Sequence, residues 1–123
     1  ELPQDYWVLL VQPERARKES TAEVYRRFDE RDGAEGFGQR RAALDRALAS
    51  VSHAGDLAAL PRNDLASSPL AAELLGLGAF RADVSGAGPA VFGLFLHHRQ
   101  AKAARRALRG RGRTWLTVPA WYG

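Results

Sequence analysis

The stretch FRADVSGAGPAVFGLFL occupies residues 80–96 and decides the fold. Apolar and polar residues alternate over 80–84, which is typical of a half-buried strand. Residues 90–96 are almost continuously apolar, which indicates a second strand that is buried more fully. The small residues of 85–89 fit a loop between them. The stretch therefore predicts two strands joined by a glycine-rich connection.

Hydrophobic periodicity and helix caps predict the elements on either side of this stretch. They are a central strand at 6–11 buried on both faces, a helix from 20 to about 30, a second helix ended by Gly55, a capped turn at 56–60, a third helix opened by Ser68-Pro69, a helix at 98–109 and a strand at 114–118. With the early helices merged into one crossover, the order is β-α-β-β-α-β, the split βαβ or ferredoxin-like arrangement. We therefore predict an α+β fold in which an antiparallel sheet carries helices packed on one face.

The first two predicted helices carry apolar residues at helical spacing. Ser20 and Glu23 fit a capping box at the start of the first helix. On that helix, Tyr25 shares one side with Val24 and Phe28. The apolar stripe of the second helix consists of Phe37, Leu44, Leu48 and Val51. Such a stripe is typical of a helix that faces a core.

The composition is that of an ordinary globular protein. The 123 residues are 46% apolar and 26% charged, with a formal net charge of +4, and we expect a single domain spanning 1–123. The chain contains no cysteine, which excludes disulfides and thiolate sites. No apolar run approaches the roughly 18 residues of a membrane span, so we expect a soluble, cytoplasmic protein without a membrane partner. Because the chain lacks Met and begins at Glu1, we also expect an upstream part to be missing.

The loop at 85–89 is the main candidate for chemistry. Gly86 and Gly88 permit positive φ angles and close approach of a ligand to the backbone, and successive amides in such a turn form an anion site. A plain hairpin turn accounts for the same spacing. Elsewhere, the histidines lack metal-ligand spacing and no serine sits in a nucleophile motif. The basic stripe at 102–109 fits a solvated helix face, with phosphate binding as the alternative.

Three stretches resemble the C-terminal half of the GHMP kinases, and among these the 4-diphosphocytidyl-2-C-methyl-D-erythritol kinases of isoprenoid biosynthesis. The first is Pro13 followed by STAEVY at 20–25, and the second is RNDL at 62–65. The third, VSGAGPAVFGLF at 84–95, is similar to the third motif of the family and is the most specific. The charged segment at 14–19 is longer than the corresponding stretch of the family.

The resemblance implies that the chain is the C-terminal, substrate-side lobe of a two-lobed, ATP-dependent kinase. The parent enzyme would use ATP and Mg²⁺ to phosphorylate a hydroxyl of a small molecule, such as cytidine-diphospho-methylerythritol or a related alcohol. The catalytic Asp and Lys of the family belong to an N-terminal lobe that has no counterpart here. The chain alone should therefore be inactive, with no catalytic residue, metal ligand or cofactor of its own.

The resemblance also implies which residues bind the substrate. Tyr25 matches by position the family aromatic that stacks on cytosine, and Thr21, one helical turn earlier, would contact the same moiety. A core position for Tyr25 is the alternative. The loop that would approach the phosphates and close the cleft consists of Ser85, Gly86, Ala87 and Gly88. Asn63 and Asp64 would fix a connection and not touch the ligand.

Two other function classes share the predicted topology. An RNA-recognition domain would place aromatic residues on the sheet, and Phe92 and Phe95 fall on a central strand. However, Gly88-Pro89-Ala90-Val91 replaces the basic, aromatic-rich start of the RNA-binding motif, and a nucleic-acid partner is not expected. The other alternative is a stand-alone regulatory module that binds a small metabolite, which only the fold would support.

Overall fold

The computed structural model describes residues 2–14 and 21–120. Within these residues the chain forms four strands, four α-helices and one short 3₁₀ helix. The strands are β1 (Trp7–Pro13), β2 (Arg81–Val84), β3 (Val91–Phe95) and β4 (Gly112–Thr117). The helices are α1 (Thr21–Glu30), α2 (Phe37–Ala49), α3 (Pro69–Gly76) and α4 (His98–Ala107), with the 3₁₀ helix at Ala54–Ala59.

The four strands form one antiparallel sheet in the order β2-β3-β1-β4. Leu9 of β1 lies opposite Gly93 of β3 on one side and Leu116 of β4 on the other. With the helical crossover between β1 and β2, this order is that of the split βαβ arrangement, and the predicted α+β fold is confirmed. No helix among the described residues has the length and apolar character required to cross a membrane.

The core lies between one face of the sheet and the helices α3 and α4. Side chains alternate between the two faces of a strand, and every second residue of β1 and β3 therefore enters this core. The buried cluster consists of Leu9, Val11, Leu70, Leu74, Ala79, Val84, Val91, Phe95, Ala101, Ala104 and Leu108. The prediction that β1 is buried on both faces is wrong, because Val8 and Leu10, on the face away from these helices, are only partly buried.

Helix α3 begins where its cap predicts. The Ser68 hydroxyl accepts a hydrogen bond from the Leu70 amide at 3.2 Å, and Pro69 occupies the first helical turn. The second helix, in contrast, ends at Ala49, and the predicted stop at Gly55 falls inside the 3₁₀ helix. Asp56 provides the cap there, because its carboxylate accepts from the amides of Ser52 and His53. These bonds lower the pKa of Asp56.

The apolar stripe of α2 does not enter the core. No residue of α2, all of which the structure describes, is buried. Phe37 is 60% exposed, and Leu44 and Leu48 are 38% and 37% exposed. The physical reason is that α3 and α4 already cover the apolar face of the sheet. The expectation that this stripe faces the core is therefore wrong.

Candidate functional site

A cleft of about 990 Å³ opens beside the glycine-rich loop between β2 and β3. One wall is formed by α1, and the opposite wall by the loop. The floor includes residues 63–70, which form the end of the connection from the 3₁₀ helix and the start of α3. Side chains that line the cleft include Glu14, Val24, Arg27, Arg31, Asn63, Asp64, Ser67, Val84 and Arg111. The cleft therefore brings the crossover and the third sequence motif together.

The glycine-rich loop is a tight turn closed by two backbone hydrogen bonds. The Ser85 amide donates to the Ala90 carbonyl at 2.8 Å, and the Gly88 amide donates to the Ser85 carbonyl at 3.0 Å. Within the described residues, no hydrogen bond uses the amides of Gly86 and Ala87. Gly86 has φ 57° and Gly88 has φ 88°, values that favour glycine. Of these loop residues, Ala87 and Gly88 line the cleft, so the Ala87 amide is the donor that a ligand in the cleft could use.

Asn63 holds this loop from the floor of the cleft. Its side-chain amide donates to the carbonyls of Val84, at 2.9 Å, and Gly86, at 2.6 Å. Its side-chain oxygen accepts from the amides of Leu65, at 2.8 Å, and Ala66, at 3.2 Å. Both ends of the side chain are therefore satisfied, and Asn63 fixes the connection, as predicted.

A second polar contact joins this connection to strand β2. The Asp83 carboxylate, which is largely buried, accepts from the Asn63 amide at 2.7 Å. Arg81 lies 3.7 Å from the same carboxylate and donates to the carbonyls of Leu60 and Pro61. A buried charge is tolerated where it is paired and hydrogen-bonded. The segment that carries Asn63 is thus anchored to the sheet edge.

Arginines attach helix α1 and the turn after it to the same connection. The Arg31 guanidinium donates to the carbonyls of Asp64, at 2.7 Å, and Leu65, at 3.1 Å. Arg40 donates to the carbonyls of Gly33 and Glu35, and its Nε lies 3.5 Å from the Asp64 carboxylate. The guanidinium contacts of Arg31 and Arg40 therefore join the α1–α2 hairpin to residues 64–65.

Three guanidinium groups line the cleft. Arg27 lies on α1, Arg31 directly follows α1, and Arg111 lies on the connection between α4 and β4. The Arg111 guanidinium forms two bonds, of 2.8 and 2.9 Å, with the Glu73 carboxylate. This guanidinium lowers the pKa of Glu73. Arg111 is therefore already paired, and the described lining also holds the carboxylates of Glu14 and Asp64.

Of the two predicted substrate residues on α1, the structure describes only the side chain of Tyr25, and it does not line the cleft. Tyr25 is 50% exposed and does not line the cleft, whereas Val24 beside it is buried and does. The alternative of a core position for Tyr25 is therefore wrong. Thr21 is the first residue of α1, and the prediction for its side chain lies outside the described part of the chain. The same holds for the capping box at Ser20 and for the charged segment beyond Glu14.

The cleft arginines were not predicted as site residues. Arg27 and Arg31 are four residues apart, a spacing that places both on one face of a helix, and this was the available signal. Arg111 had no comparable signal, because its alternation with Gly110 and Gly112 is typical of a solvated loop. Residues 2–14 and 21–120 contain no group of three histidine, aspartate or glutamate side chains that could hold a metal ion.

The aromatic pair behind the RNA-binding alternative does not form a platform. Phe95 is fully buried against the helices, whereas Phe92 is partly buried. Three positions separate them on one strand, so they face opposite sides of the sheet. A stacking surface for bases requires exposed rings on one face, and this pair does not provide one.

Comparison with known proteins gives a family and a distant structural likeness. The family described as GHMP kinases C terminal matches residues 46–114. The crystal structure of mevalonate kinase from methicillin-resistant Staphylococcus aureus MRSA252 aligns with a TM-score of 0.45 and 17% sequence identity. The alignment covers 94% of this chain and 42% of that one, so the chain spans less than half of the length of that kinase. No curated protein sequence matches the chain significantly.

Proposed function

Because the chain belongs to the GHMP kinase family through its C-terminal domain, we propose that it forms the substrate-side lobe of an ATP-dependent kinase that phosphorylates a small alcohol. The observation that carries this proposal is the cleft between α1 and the glycine-rich loop. The Ala87 amide, which no hydrogen bond uses among the described residues, and three arginines border one space there. Such a space suits a phosphorylated ligand.

The loop and the arginines serve the phosphates. Phosphoryl transfer depends mainly on positioning the reactants and on neutralising charge around the phosphates. The backbone amide of Ala87 offers a fixed donor at the cleft. Arg27 on α1 and Arg31, which follows α1, also line the cleft. In this proposal the loop Ser85, Gly86, Ala87 and Gly88 approaches the phosphate region and closes the cleft.

The outer part of α1 serves the remainder of the substrate. Half of the Tyr25 surface is exposed, so its ring is available for stacking on a planar base. Tyr25 does not itself line the cleft, and on a helix it projects away from Arg27, which does. By the resemblance to the 4-diphosphocytidyl-2-C-methyl-D-erythritol kinases, Tyr25 and Thr21 bind the cytosine of cytidine-diphospho-methylerythritol. A related alcohol is the alternative substrate.

The remaining catalytic parts are proposed to lie on another lobe. The family's catalytic Asp and Lys have no counterpart in the three matching stretches. ATP with Mg²⁺ is the phosphoryl donor when that lobe is present. In this proposal the present chain orients the acceptor and the phosphates, and it does not transfer a phosphoryl group alone.

The test is a kinase assay on the full reading frame that contains these residues. Purified protein is incubated with ATP-Mg²⁺ and with cytidine-diphospho-methylerythritol, mevalonate or a panel of small alcohols, and ADP release is followed. The proposal predicts phosphorylation of one alcohol by the full protein and none by residues 1–123. Turnover of mevalonate would refute the cytidine substrate but retain the kinase role. No turnover of any alcohol, or turnover by residues 1–123 alone, would refute the lobe assignment.

A further inference from the structure

Asn63 joins two segments that lie more than 20 residues apart in the chain. Its side-chain nitrogen donates to the carbonyls of Val84 and Gly86, the residues on either side of Ser85. Its oxygen bonds to two amides of its own connection. Only one orientation of the side-chain amide satisfies this arrangement, because nitrogen must face the two carbonyls and oxygen the two N–H groups. The side-chain nitrogen of Asn63 therefore binds the loop, and its side-chain oxygen binds the connection that follows it.

The carbonyls that Asn63 engages belong to the backbone of the turn. The Asn63 side chain binds the carbonyls of Val84 and Gly86. In this arrangement the Ser85 amide donates to the Ala90 carbonyl, and the Gly88 amide donates to the Ser85 carbonyl. The amides of Gly86 and Ala87 then remain without partners among the described residues. The two side-chain bonds of Asn63 therefore add to the two backbone bonds that define the conformation of the turn.

We infer that Asn63 is a positioning residue, whose side-chain amide holds the loop at 85–88 in the conformation that leaves the Ala87 amide available for a phosphate in the cleft. The part of this inference that concerns the phosphate rests on the kinase role proposed above. The part that concerns the conformation of the loop does not depend on that role. The same connection accepts hydrogen bonds from Arg31, the residue that follows α1, so Asn63 also links the proposed phosphate loop to the end of the helix proposed to bind the substrate.

The substitution Asn63→Asp removes the side-chain donor that binds the loop and keeps the side-chain acceptor that binds the connection. An aspartate keeps an oxygen for the amides of Leu65 and Ala66, so the turn of the connection retains its bonds. Its other oxygen faces the carbonyls of Val84 and Gly86 and cannot donate to them. A carboxylate oxygen and two carbonyl oxygens then face one another without a shared proton, which is unfavourable. Gln100→Glu is the matched control, because it makes the same chemical change at an exposed position in the first turn of α4.

The first readout is hydrogen exchange of the Ser85 and Gly88 amides, measured by NMR on the 123-residue chain. We expect Asn63→Asp to accelerate exchange at both amides by about tenfold or more at pH 7, because the two hydrogen bonds from the Asn63 side chain to the loop are lost. Exchange in β1 and in α4 should stay within about twofold, since the core is untouched. Gln100→Glu should leave all of these amides at wild-type rates.

The second readout is a pH profile that a general loss of stability would not produce. Once protonated, the carboxyl group introduced by Asn63→Asp carries one O–H donor, so the Gly86 and Gly88 amide shifts of the variant should return towards wild-type positions as the pH falls. The charged groups around this side chain are Asp83 and Arg81 from β2, Arg31 from the end of α1 and the neighbouring Asp64. They are present in both proteins, so the wild-type profile removes their contribution.

The third readout uses the full reading frame as a kinase. Asn63→Asp should lower kcat by about tenfold or more and change the KM for the alcohol by less than about threefold, because the loop positions the phosphates and not the acceptor. Unchanged exchange at Ser85 and Gly88 would overturn the inference. Faster exchange with unchanged kcat would overturn the positioning role. If the wild-type protein is not a kinase, the proposed function fails, and the exchange and pH data alone decide whether Asn63 holds the loop.

Discussion

A methyl group added at Gly93 tests how closely helix α3 packs on the sheet above the cleft floor. A Cβ there lies 3.2 Å from Leu74 Cδ2 and 3.2 Å from Phe95 Cε2, inside the roughly 3.5–4.0 Å optimum for carbon contacts. Both neighbours are fully buried, so neither side chain can move without shifting the core. Overpacking costs about 1–3 kcal/mol and loss of a strand glycine returns about 0.5–1 kcal/mol, so the central values give a net destabilisation of about 1 kcal/mol for Gly93→Ala.

The assay is urea unfolding of the chain followed by circular dichroism, with a double-mutant cycle. Leu74→Ala alone should cost about 2–5 kcal/mol, because the side chain is fully buried. In that background Leu74 Cδ2 is absent, and the methyl group of Gly93→Ala enters the space it leaves. The cost of Gly93→Ala should therefore fall by about 1 kcal/mol or more.

Gly38→Ala is the matched control for this experiment. A Cβ at Gly38 meets no atom within 4 Å, and the position lies inside α2. Alanine is there expected to stabilise the chain by about 0.5–1 kcal/mol. The reasoning fails if Gly93→Ala is as stable as the wild type, or if its cost is the same with and without the Leu74 side chain.

Two further substitutions probe a surface ion pair and the exposed helix. Arg111 holds the pKa of Glu73 below its ordinary value of 4.5, so the pair stabilises the folded chain above that pH, and this contribution is lost as the pH falls through the folded-state pKa. The melting temperature of Glu73→Gln should lie below that of the wild type at pH 7 and match it in strong acid; an equal gap at both pH values would contradict the pairing. Phe37→Ser, at a position 60% exposed, should change the free energy of unfolding by less than about 0.5 kcal/mol in urea unfolding, and a loss above about 2 kcal/mol would show that the ring is part of the core.

The fold was predictable because its signals are local. Alternation over residues 80–84, the apolar run after the loop and the Ser68-Pro69 start of α3 each depend on neighbours within a few residues. The neighbours of each strand in the sheet then follow from the β-α-β-β-α-β order. The family resemblance rested on the same residues, and the match over 46–114 confirms it at the level of the superfamily.

The exposure of α2 was not predictable from its pattern. The apolar spacing of Phe37, Leu44 and Leu48 is that of a core-facing helix, but periodicity does not say whether a face of the sheet remains free. Here α3 and α4 occupy that face. Guanidinium contacts such as those of Arg40 hold the hairpin instead, and a contact with backbone carbonyls leaves no trace in a hydrophobic pattern.

The site was predictable only where one motif contains it. The glycines of the loop signal positive φ within a short stretch, and their angles at Gly86 and Gly88 agree. The bonds of Asn63 to this loop cross 21 and 23 residues, a distance at which only the tertiary fold selects partners. Arg31 likewise reaches residues 64 and 65 from the end of α1. Long-range polar contacts of this kind could be identified only from the structure.

The central claim is that substrate binds between α1 and the glycine-rich loop. Hydrogen–deuterium exchange of the full-length protein, with and without its alcohol substrate and with a non-hydrolysable ATP analogue, measures this directly. The account predicts slower exchange on binding in peptides that cover 21–31 and 84–90, with β4 unchanged. Protection confined to β4 and the open face of the sheet, or absent from both cleft walls, would contradict it.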